Sequence, residues 1–294
     1  MPKRKFIKIV PKSVAPALNA EKEEIGAKKQ PKAASPAAKR VKSQPYSPPP
    51  IGEFNKRCWS TNMPDMYNYH DETWGRPEVD AVRLFESQTL QLMQCGVTWM
   101  VVWSKREHFR RAFRDYDFAA VAAFTPQDIE ELMEWPEKTI IRNRAKIRAV
   151  VANAKIIADM QASAAQGTGP SFAELLWSYC PASDAERLKP LASVSGNHMR
   201  AETVAAKSYA SREASDGVHP TKTVCALAIE LKKKRGFSFM GPTTVLSFMQ
   251  AIGLVNHHSR ECCAFQRNEF EAADLLRWRD AGKPVGQWVY VKAE

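Results

Sequence analysis

Two pairs of metal-type ligands stand about two hundred residues apart in this chain of 294 residues. Cys58 and His70 lie near one end of its aromatic-rich part, and His258 and Cys262 lie near the other. The spacing of His258 and Cys262 puts both side chains on one face if that segment is helical. Two cysteines and two histidines hold Zn²⁺ tetrahedrally. The pairs therefore predict one structural zinc ion that ties the front of a domain to its back, unless they are ordinary buried cysteines and hydrogen-bonded histidines.

Composition places the chain among globular proteins of a reducing compartment. It has six cysteines in 294 residues and begins without an apolar signal segment, which argues against a disulfide framework. No run approaches the roughly 18 to 20 apolar residues that a membrane span requires, so we expect no membrane association. The hydrophobic fraction of 44% is sufficient for a folded core.

The positive charge is concentrated at the N-terminus. Residues 1–56 hold 13 Lys and Arg against four Glu, together with nine of the 19 prolines, and the rest of the chain is almost neutral. Such a segment cannot bury enough surface to fold, so residues 1–53 are predicted to be a disordered basic tail. Its basic clusters at 2–5 and 36–42 have the form of nuclear import signals, which predicts a nuclear protein and an import receptor as partner. The alternatives are a transit peptide and a solvated tail that adds phosphate affinity.

From about residue 54 the sequence predicts a mainly α-helical domain. Asp80 opens a helix that Gly96 ends, and Trp99 to about Phe113 reads as a second helix. Thr125 and Pro126 begin another, as a side-chain cap followed by proline in the first turn. Few alternating strands are present.

The stretch from 222 to 253 predicts two helices joined by a short, glycine-containing hairpin. Amides of such a hairpin and of the second helix's N-terminus point at a DNA phosphate without reading sequence. Any αα-hairpin needs turn glycines, so an ordinary helix pair is the alternative. The candidate DNA-binding residues are Gly236, Phe237, Ser238, Gly241 and Thr243.

Ten blocks in order carry a resemblance to one family. They are RCWS, YHD, WGRP, LFE, GVTW, KREHFRRAF, IIRNRAKIRAVVANA, FAELLWSY, KKKRGFSFMGPTTVLSFMQAIGLVNHH and ECC. Across about 210 residues the chain resembles DNA-3-methyladenine glycosylase I. The resemblance implies a helix-hairpin-helix glycosylase of base excision repair that acts as a monomer on double-stranded DNA containing alkylated bases. It also implies a structural zinc, with ligands that fall on Cys58, His70, His258 and Cys262.

The resemblance further implies a pocket for a base flipped out of the DNA stack. Tyr69 and Trp99 match the aromatic residues that line this pocket in similar proteins, and Trp59 and Trp74 are expected as neighbours or walls. Ordinary core packing is the alternative for all four.

The chain departs from the family where the base is read. The family's Glu, eight residues before the Trp, is replaced by Gln91, which donates and accepts hydrogen bonds but carries no charge. The family's Ser-Asp pair near the hairpin's first helix is replaced by Cys225 and Ala226. These departures leave two alternatives open: a zinc-stabilised DNA-binding module with weak or lost activity, and a glycosylase with altered lesion specificity. We expect a glycosylase domain over residues 54–268 and a C-terminal extension over 269–294.

Overall fold

The computed structural model describes residues 57–59, 64–135, 139–180 and 222–289. These residues belong to one structural unit, Pro50–Glu294. The predicted basic tail over 1–53, both predicted import signals and the segment from 181 to 220 lie outside the described residues. In the part of the chain that is described, no helix is long and apolar enough to cross a membrane.

The predicted helical class is confirmed, since the described residues form helices and no β-strand. In chain order the α-helices are α1 Pro64–Glu72, α2 Ala81–Gln94, α3 Trp99–Trp103, α4 Arg106–Ala112, α5 Phe118–Ala122, α6 Pro126–Met133, α7 Arg144–Ala165, α8 Phe172–Ser178, α9 Lys222–Ile229, α10 Pro242–Ala251 and α11 Phe265–Asp280. Short 3₁₀ turns lie at Arg114–Tyr116 and Val285–Gln287, and a π-helical turn, Glu230–Lys234, continues α9.

Helix starts and stops follow the capping residues read from the sequence. The side chain of Asp80 accepts a hydrogen bond from the amide of Arg83 and so caps α2, and Gly96 follows the helix with φ of +78°. Helix α6 begins with a reciprocal capping box between Thr125 and Asp128. These caps are local, which is why they were visible in the sequence.

Two predicted helices differ from the observed ones. The segment predicted as one helix from Trp99 to Phe113 is divided into α3 and α4, because the amide of Lys105 donates to Val102 three residues back and tightens the chain there. The first helix of the hairpin motif ends in a wider turn, in which the amide of Arg235 donates to Glu230 five residues back. No glycine or proline marks either change inside the helices, so neither was visible in the sequence.

Helix α2 is central to the fold, and it packs against α3, α7 and α10. Leu84, Phe85, Leu92 and Met93 are fully buried on it. Its C-terminal carbonyls, which lack partners within the helix, are capped by the buried Lys146 of α7, whose Nζ lies 2.9 Å from the oxygen of Met93. Desolvation lowers the pKa of this lysine.

The front of the domain meets its back beside Gly253, just after α10. The amide of Gly75 donates to the carbonyl of Ala251, and that of Glu78 donates to Ile252. Gly253 has φ of +77°, and a Cβ atom there would lie 2.6 Å from the backbone of Arg76. Only glycine allows this close approach.

We predict that Gly253→Ala lowers the free energy of unfolding by about 2 to 5 kcal/mol, because it adds a backbone clash to the cost of a left-handed residue. Gly96→Ala is the matched control: its φ is +78°, but a Cβ atom would meet nothing within 4 Å. It should cost only about 1 to 2 kcal/mol. Urea unfolding of both variants measures the difference, and equal losses would contradict the close approach.

Candidate functional site

The four metal-type ligands predicted from the sequence come together at one point. Their ligating atoms all lie within 4.8 Å of one another. Nδ1 of His258 is 3.5 Å from the sulfur of Cys58 and 3.2 Å from that of Cys262. The sulfur of Cys262 is also 3.4 Å from Nε2 of His70. The fold therefore joins residues from its two ends in one cluster.

The separations in this cluster fit a tetrahedral zinc ion. With Zn–S bonds of about 2.3 Å and Zn–N bonds of about 2.0 to 2.1 Å, tetrahedral geometry puts sulfur and nitrogen about 3.5 Å apart. Three of the four sulfur–nitrogen pairs of the cluster are 3.2 to 3.5 Å apart. Two thiols and two imidazoles also make a closed set of four ligands, which is typical of structural sites without an open position for substrate.

Each histidine of the cluster is oriented by a hydrogen bond on its outer ring nitrogen. Nδ1 of His70 is 2.8 Å from a carboxylate oxygen of Asp71, and Nε2 of His258 is 2.9 Å from the carbonyl oxygen of Trp74. These outer nitrogens carry the proton, because both partners only accept. In a neutral ring the inner nitrogen then has the electron pair that metal ligation requires; that of His70 accepts a hydrogen bond from the amide of Cys58 at 3.3 Å.

The thiols of Cys58, a member of the cluster, and Cys263, which lies next to it, have pKa values shifted in opposite directions. The pKa of Cys58 is lowered to about 7 because Cys262 hydrogen-bonds to it and the amide of Ser259 donates to its sulfur, which outweighs burial. Burial and the nearby Cys262 and Asp71 instead raise the pKa of Cys263 to about 12. Since the thiolate is the ligating form, the surroundings favour Cys58 over Cys263 as a ligand.

Ion pairs surround the cluster and reinforce the junction of front and back. Arg76 forms two hydrogen bonds, of 2.7 and 3.0 Å, with the carboxylate of Glu271, which is only 2% exposed. Arg57 contacts Asp71 at 2.6 Å. Burial raises the pKa of Asp71, but the hydrogen bonds from Arg57 and His70 outweigh it and leave this pKa below its ordinary value.

Three aromatic rings, which we call the aromatic trio, pack against one another next to the cluster. The trio consists of Tyr69 on α1 with Trp99 and Trp103 on α3. The Tyr69 ring centroid is 5.4 Å from that of Trp99 and 4.4 Å from that of Trp103. Burial raises the pKa of Tyr69, so its hydroxyl stays protonated. The indole nitrogens of both tryptophans are buried and have no hydrogen-bond partner among the described residues.

The structure brings together two of the four aromatic residues expected at a base pocket. Tyr69 and Trp99 belong to the trio, whereas Trp59 and Trp74 pack against the histidines of the cluster, with Trp74 4.4 Å from the ring of His258. The sequence reasoning missed Trp103. It lies one helical turn after Trp99, and that spacing is the signal that would have identified it.

Gln91 is placed on α2, the helix that packs against α3. It is 5% exposed, and none of the described residues hydrogen-bonds its side-chain amide. Its amide atoms do not belong to the fully buried polar atoms that lack a partner, so they keep access to solvent and are available to a ligand. Gln88, one turn earlier, is directed elsewhere and contacts the sulfur of Met240 at 3.5 Å.

The candidate DNA-binding residues form the predicted hairpin between α9 and α10. Gly236 turns the chain with φ of +83°, and no side chain caps the N-terminus of α10 after Gly241, which leaves amides such as that of Thr243 available. The side chain of Phe237 is buried and stacks on Phe172, and its amide donates to the carbonyl of Leu231, so this residue supports the hairpin from inside.

The exposed aromatic residue of the hairpin is Phe239, which the sequence reasoning did not select. It is 37% exposed and has φ of +59°. The half-buried Ser238 precedes it. Phe237 and Phe239 are indistinguishable in type and spacing, so only the fold shows which one faces solvent.

The basic end of the first hairpin helix is anchored by one carboxylate. Glu230, with a side chain 8% exposed, contacts Lys234 and Arg235, each at 2.9 Å, and accepts a hydrogen bond from the hydroxyl of Tyr179 at 3.3 Å. The hydrogen bonds from Lys234 and Arg235 hold the pKa of Glu230 below its ordinary value. Glu230 thereby fixes the chain that leads into the hairpin.

Comparison with known proteins agrees with this arrangement. The family model described as methyladenine glycosylase matches residues 59–266. DNA-3-methyladenine glycosylase 1 of Escherichia coli (strain K12) is 36% identical over 216 residues, which cover 73% of this chain and 99% of that protein. The chain belongs to the methyladenine glycosylase family.

Two solved structures of 3-methyladenine DNA glycosylase I are also similar. One is a variant with tyrosine replaced by phenylalanine, in complex with 3-methyladenine; it is 30% identical, has a TM-score of 0.52 and covers 70% of this chain and 94% of its own. The other, from Staphylococcus aureus, has glutamate replaced by glutamine; it is 32% identical, has a TM-score of 0.53 and covers 72% and 97%.

We predict that Glu230→Gln lowers the free energy of unfolding by about 1 kcal/mol at pH 7, because it removes the charge that Lys234 and Arg235 contact. The folded-state pKa of Glu230 is lowered, so its contribution is complete above the unfolded value of about 4.3 and is lost as pH falls through the folded value. Urea unfolding from pH 7 down to about pH 2.5 should show the two proteins converge only below about pH 4. The exposed Glu134→Gln is the control, and a pH-independent difference for Glu230→Gln would contradict the assignment.

Proposed function

We propose that this chain is a monofunctional DNA glycosylase that removes 3-methyladenine from double-stranded DNA in base excision repair. One observation carries the proposal: two rings of the aromatic trio lie on α3, which packs against α2, and on α2 the side-chain amide of Gln91 is hydrogen-bonded by none of the described residues. The similar proteins are themselves named DNA-3-methyladenine glycosylases. The names of these similar proteins favour neither of the two alternatives, a DNA-binding module without activity and a glycosylase with altered lesion specificity.

The substrate accounts for an aromatic site without a reactive lysine. A purine inside the stack must be flipped out before its glycosidic bond is accessible. Methylation at N3 gives the purine a positive charge, which weakens that bond. When the bond between sugar and base breaks, its electron pair goes to the purine, which leaves as a neutral molecule. Water adds to the sugar and loses a proton to solvent.

Selectivity follows from two kinds of contact. The faces of Tyr69, Trp99 and Trp103 attract a cationic base by about 0.5 to 2 kcal/mol. The amide of Gln91 supplies a donor and an acceptor for the adenine edge. A glutamate here would add charge, so the natural glutamine forgoes about 1 to 2 kcal/mol of recognition.

The two solved variants support these roles. The replaced tyrosine and the replaced glutamate are separated by the same number of positions as Tyr69 and Gln91 in this chain. The residue that this chain carries at the second position is the one introduced in the Staphylococcus aureus variant. The matching separation supports the proposal that Tyr69 and Gln91 contact the flipped base.

We also propose that Cys58, His70, His258 and Cys262 hold a structural zinc ion. The fit of the distances and the orientation of both histidines support it. Four protein ligands serve structure rather than chemistry, by fixing His70 and with it the adjacent Tyr69. The hairpin from Gly236 to Thr243 would bind the DNA backbone through the uncapped amides at the start of α10, because those of Phe237 and Ser238 are already hydrogen-bonded within the protein. Nuclear location, the import receptor, the monomeric state and the domain limits at 53 and 268 stay predictions.

We predict that the protein releases 3-methyladenine from N-methylated duplex DNA and that Gln91→Glu raises the single-turnover rate at subsaturating DNA by about tenfold. The reason is the charge-assisted contact that glutamate adds toward a cationic base. Chromatography of the released bases measures both rates. Gln166→Glu, at the exposed C-terminal end of α7, adds the same charge elsewhere and should change nothing.

The two results decide separate points. A wild-type protein that releases no 3-methyladenine would refute the proposed activity. An active wild type with an unchanged Gln91→Glu rate would show that Gln91 does not read the base.

We predict that the purified protein contains one zinc ion per chain and that Cys262→Ala loses it together with several kcal/mol of stability. Cys263→Ala is the matched control. The raised pKa of the Cys263 thiol disfavours it as a ligand, so the variant should retain the metal. Elemental analysis and thermal unfolding, with and without a chelator, measure both. Equal metal content in the two variants would exclude Cys262 as a ligand.

A further inference from the structure

A buried asparagine of α7 holds the hairpin by a reciprocal pair of hydrogen bonds. Asn153 is fully buried, and its Nδ2 donates to the carbonyl oxygen of Ser238 at 3.1 Å. Its Oδ1 accepts from the amide of Ser238 at 2.8 Å. The side-chain amide thus pairs with both polar groups of one hairpin residue, as a neighbouring backbone would. This contact fixes the position and the orientation of Ser238 relative to α7.

The hairpin needs such a constraint because its backbone is unusual. Phe239, directly after Ser238, has φ of +59°, and Gly236 has φ of +83°. For glycine this conformation is ordinary, but for a bulky residue it is costly and persists only where the surroundings determine it. The two bonds from Asn153 act on the residue next to the strained one.

The other end of α7 holds the helix that carries Gln91. Nζ of Lys146 donates to the carbonyl oxygens of Met93 and Cys95 at 2.9 and 2.6 Å, at the C-terminus of α2. Lys146 and Asn153 are two turns apart on α7, which separates them by about 10 Å along one rigid helix.

A third contact closes this arrangement. Nε2 of Gln88 on α2 lies 3.5 Å from the sulfur of Met240, which belongs to the hairpin. Helix α2 therefore touches the hairpin directly and is also joined to it through α7. The distance between Gln91 and the hairpin amides is fixed from two sides.

From this geometry we infer that Asn153 is a positioning residue, which sets the register between the DNA-gripping hairpin and the base-reading helix. The inference rests on the proposed function. A hairpin bound to the phosphates determines where a flipped base arrives, and a misplacement of about 1 Å in a reacting group lowers rates by roughly 100-fold. Asn153 touches neither base nor phosphate and acts through Ser238. Its loss should affect duplex DNA and leave free base unaffected.

The variants Asn153→Asp and Asn153→Ala test this role, with Thr125→Ala as the control. Asp keeps the shape and the acceptor for the Ser238 amide but replaces the donor with oxygen, while Ala removes both bonds without adding charge. Thr125 caps the N-terminus of α6 through the amide of Asp128, so its loss lowers stability at a helix that carries neither Asn153 nor Lys146.

Three quantities are measured for each protein: the Kd for free 3-methyladenine by tryptophan fluorescence, the Kd for undamaged duplex, and the single-turnover release from methylated duplex. For Asn153→Asp and Asn153→Ala we expect duplex affinity at least about tenfold weaker and release about 10- to 100-fold slower. Free-base Kd should stay within about twofold, and Thr125→Ala should match wild type in all three.

The pH dependence of duplex affinity gives a further test for Asn153→Asp. A protonated aspartic acid restores the donor to the Ser238 carbonyl, and burial of this carboxyl raises its pKa. The duplex affinity of the variant, as a ratio to wild type, should therefore recover as pH is lowered from 8 to 5.5, and that of Asn153→Ala should not.

The outcomes separate the inference from the proposed function. Absence of base release by wild type refutes the function, and the duplex affinities still decide the role of Asn153. Equal losses for free base and duplex, unchanged duplex binding, or failure of both Asn153 variants to fold would each overturn the positioning role and leave Asn153 a structural residue only.

Discussion

The junction between the front and the back of the domain is the constraint on which the rest of the structure depends. Residues on either side of Gly75 and Gly253 meet through backbone hydrogen bonds, and Arg76 pairs with the buried Glu271 across the same seam. The cluster of two cysteines and two histidines lies at this seam. Because its ligands come from segments about two hundred residues apart in sequence, the cluster exists only when the whole domain has folded.

Helix α1 connects this junction with the candidate pocket. Its consecutive residues Tyr69 and His70 serve different groups: the Tyr69 ring packs with Trp103 at 4.4 Å, and His70 joins the metal-type cluster. Any change that moves His70 moves its neighbour as well. Helix α1 thereby fixes one ring of the aromatic trio relative to the cluster of cysteines and histidines. The hairpin is fixed in a comparable way, through Asn153 and Glu230 rather than through its own few contacts.

Local signals explain which parts of the fold were predictable. The caps at Asp80 and Thr125 and the turn at Gly96 lie within single helices, so the sequence shows them directly. The tight turn between α3 and α4 and the π-helical turn before Arg235 have no such residues, and the helical periodicity continues through both. Similarly, the sequence suggested Trp59 and Trp74 only as neighbours or walls of the pocket, and the fold packs both against the histidine cluster.

The sequence by itself determined the helical class, the helix-hairpin-helix segment, the two cysteines and two histidines of the cluster, and the neutral amide of Gln91 on α2. These features follow from residue type, spacing and order along the chain. Only the tertiary structure decided that Trp103 completes the aromatic trio, that Phe239 rather than Phe237 is exposed, and that Asn153 and Lys146 join α7 to the hairpin and to α2. The physical reason is that burial and pairing are set by partners distant in sequence, and a side chain's type does not record which partner the fold will bring to it.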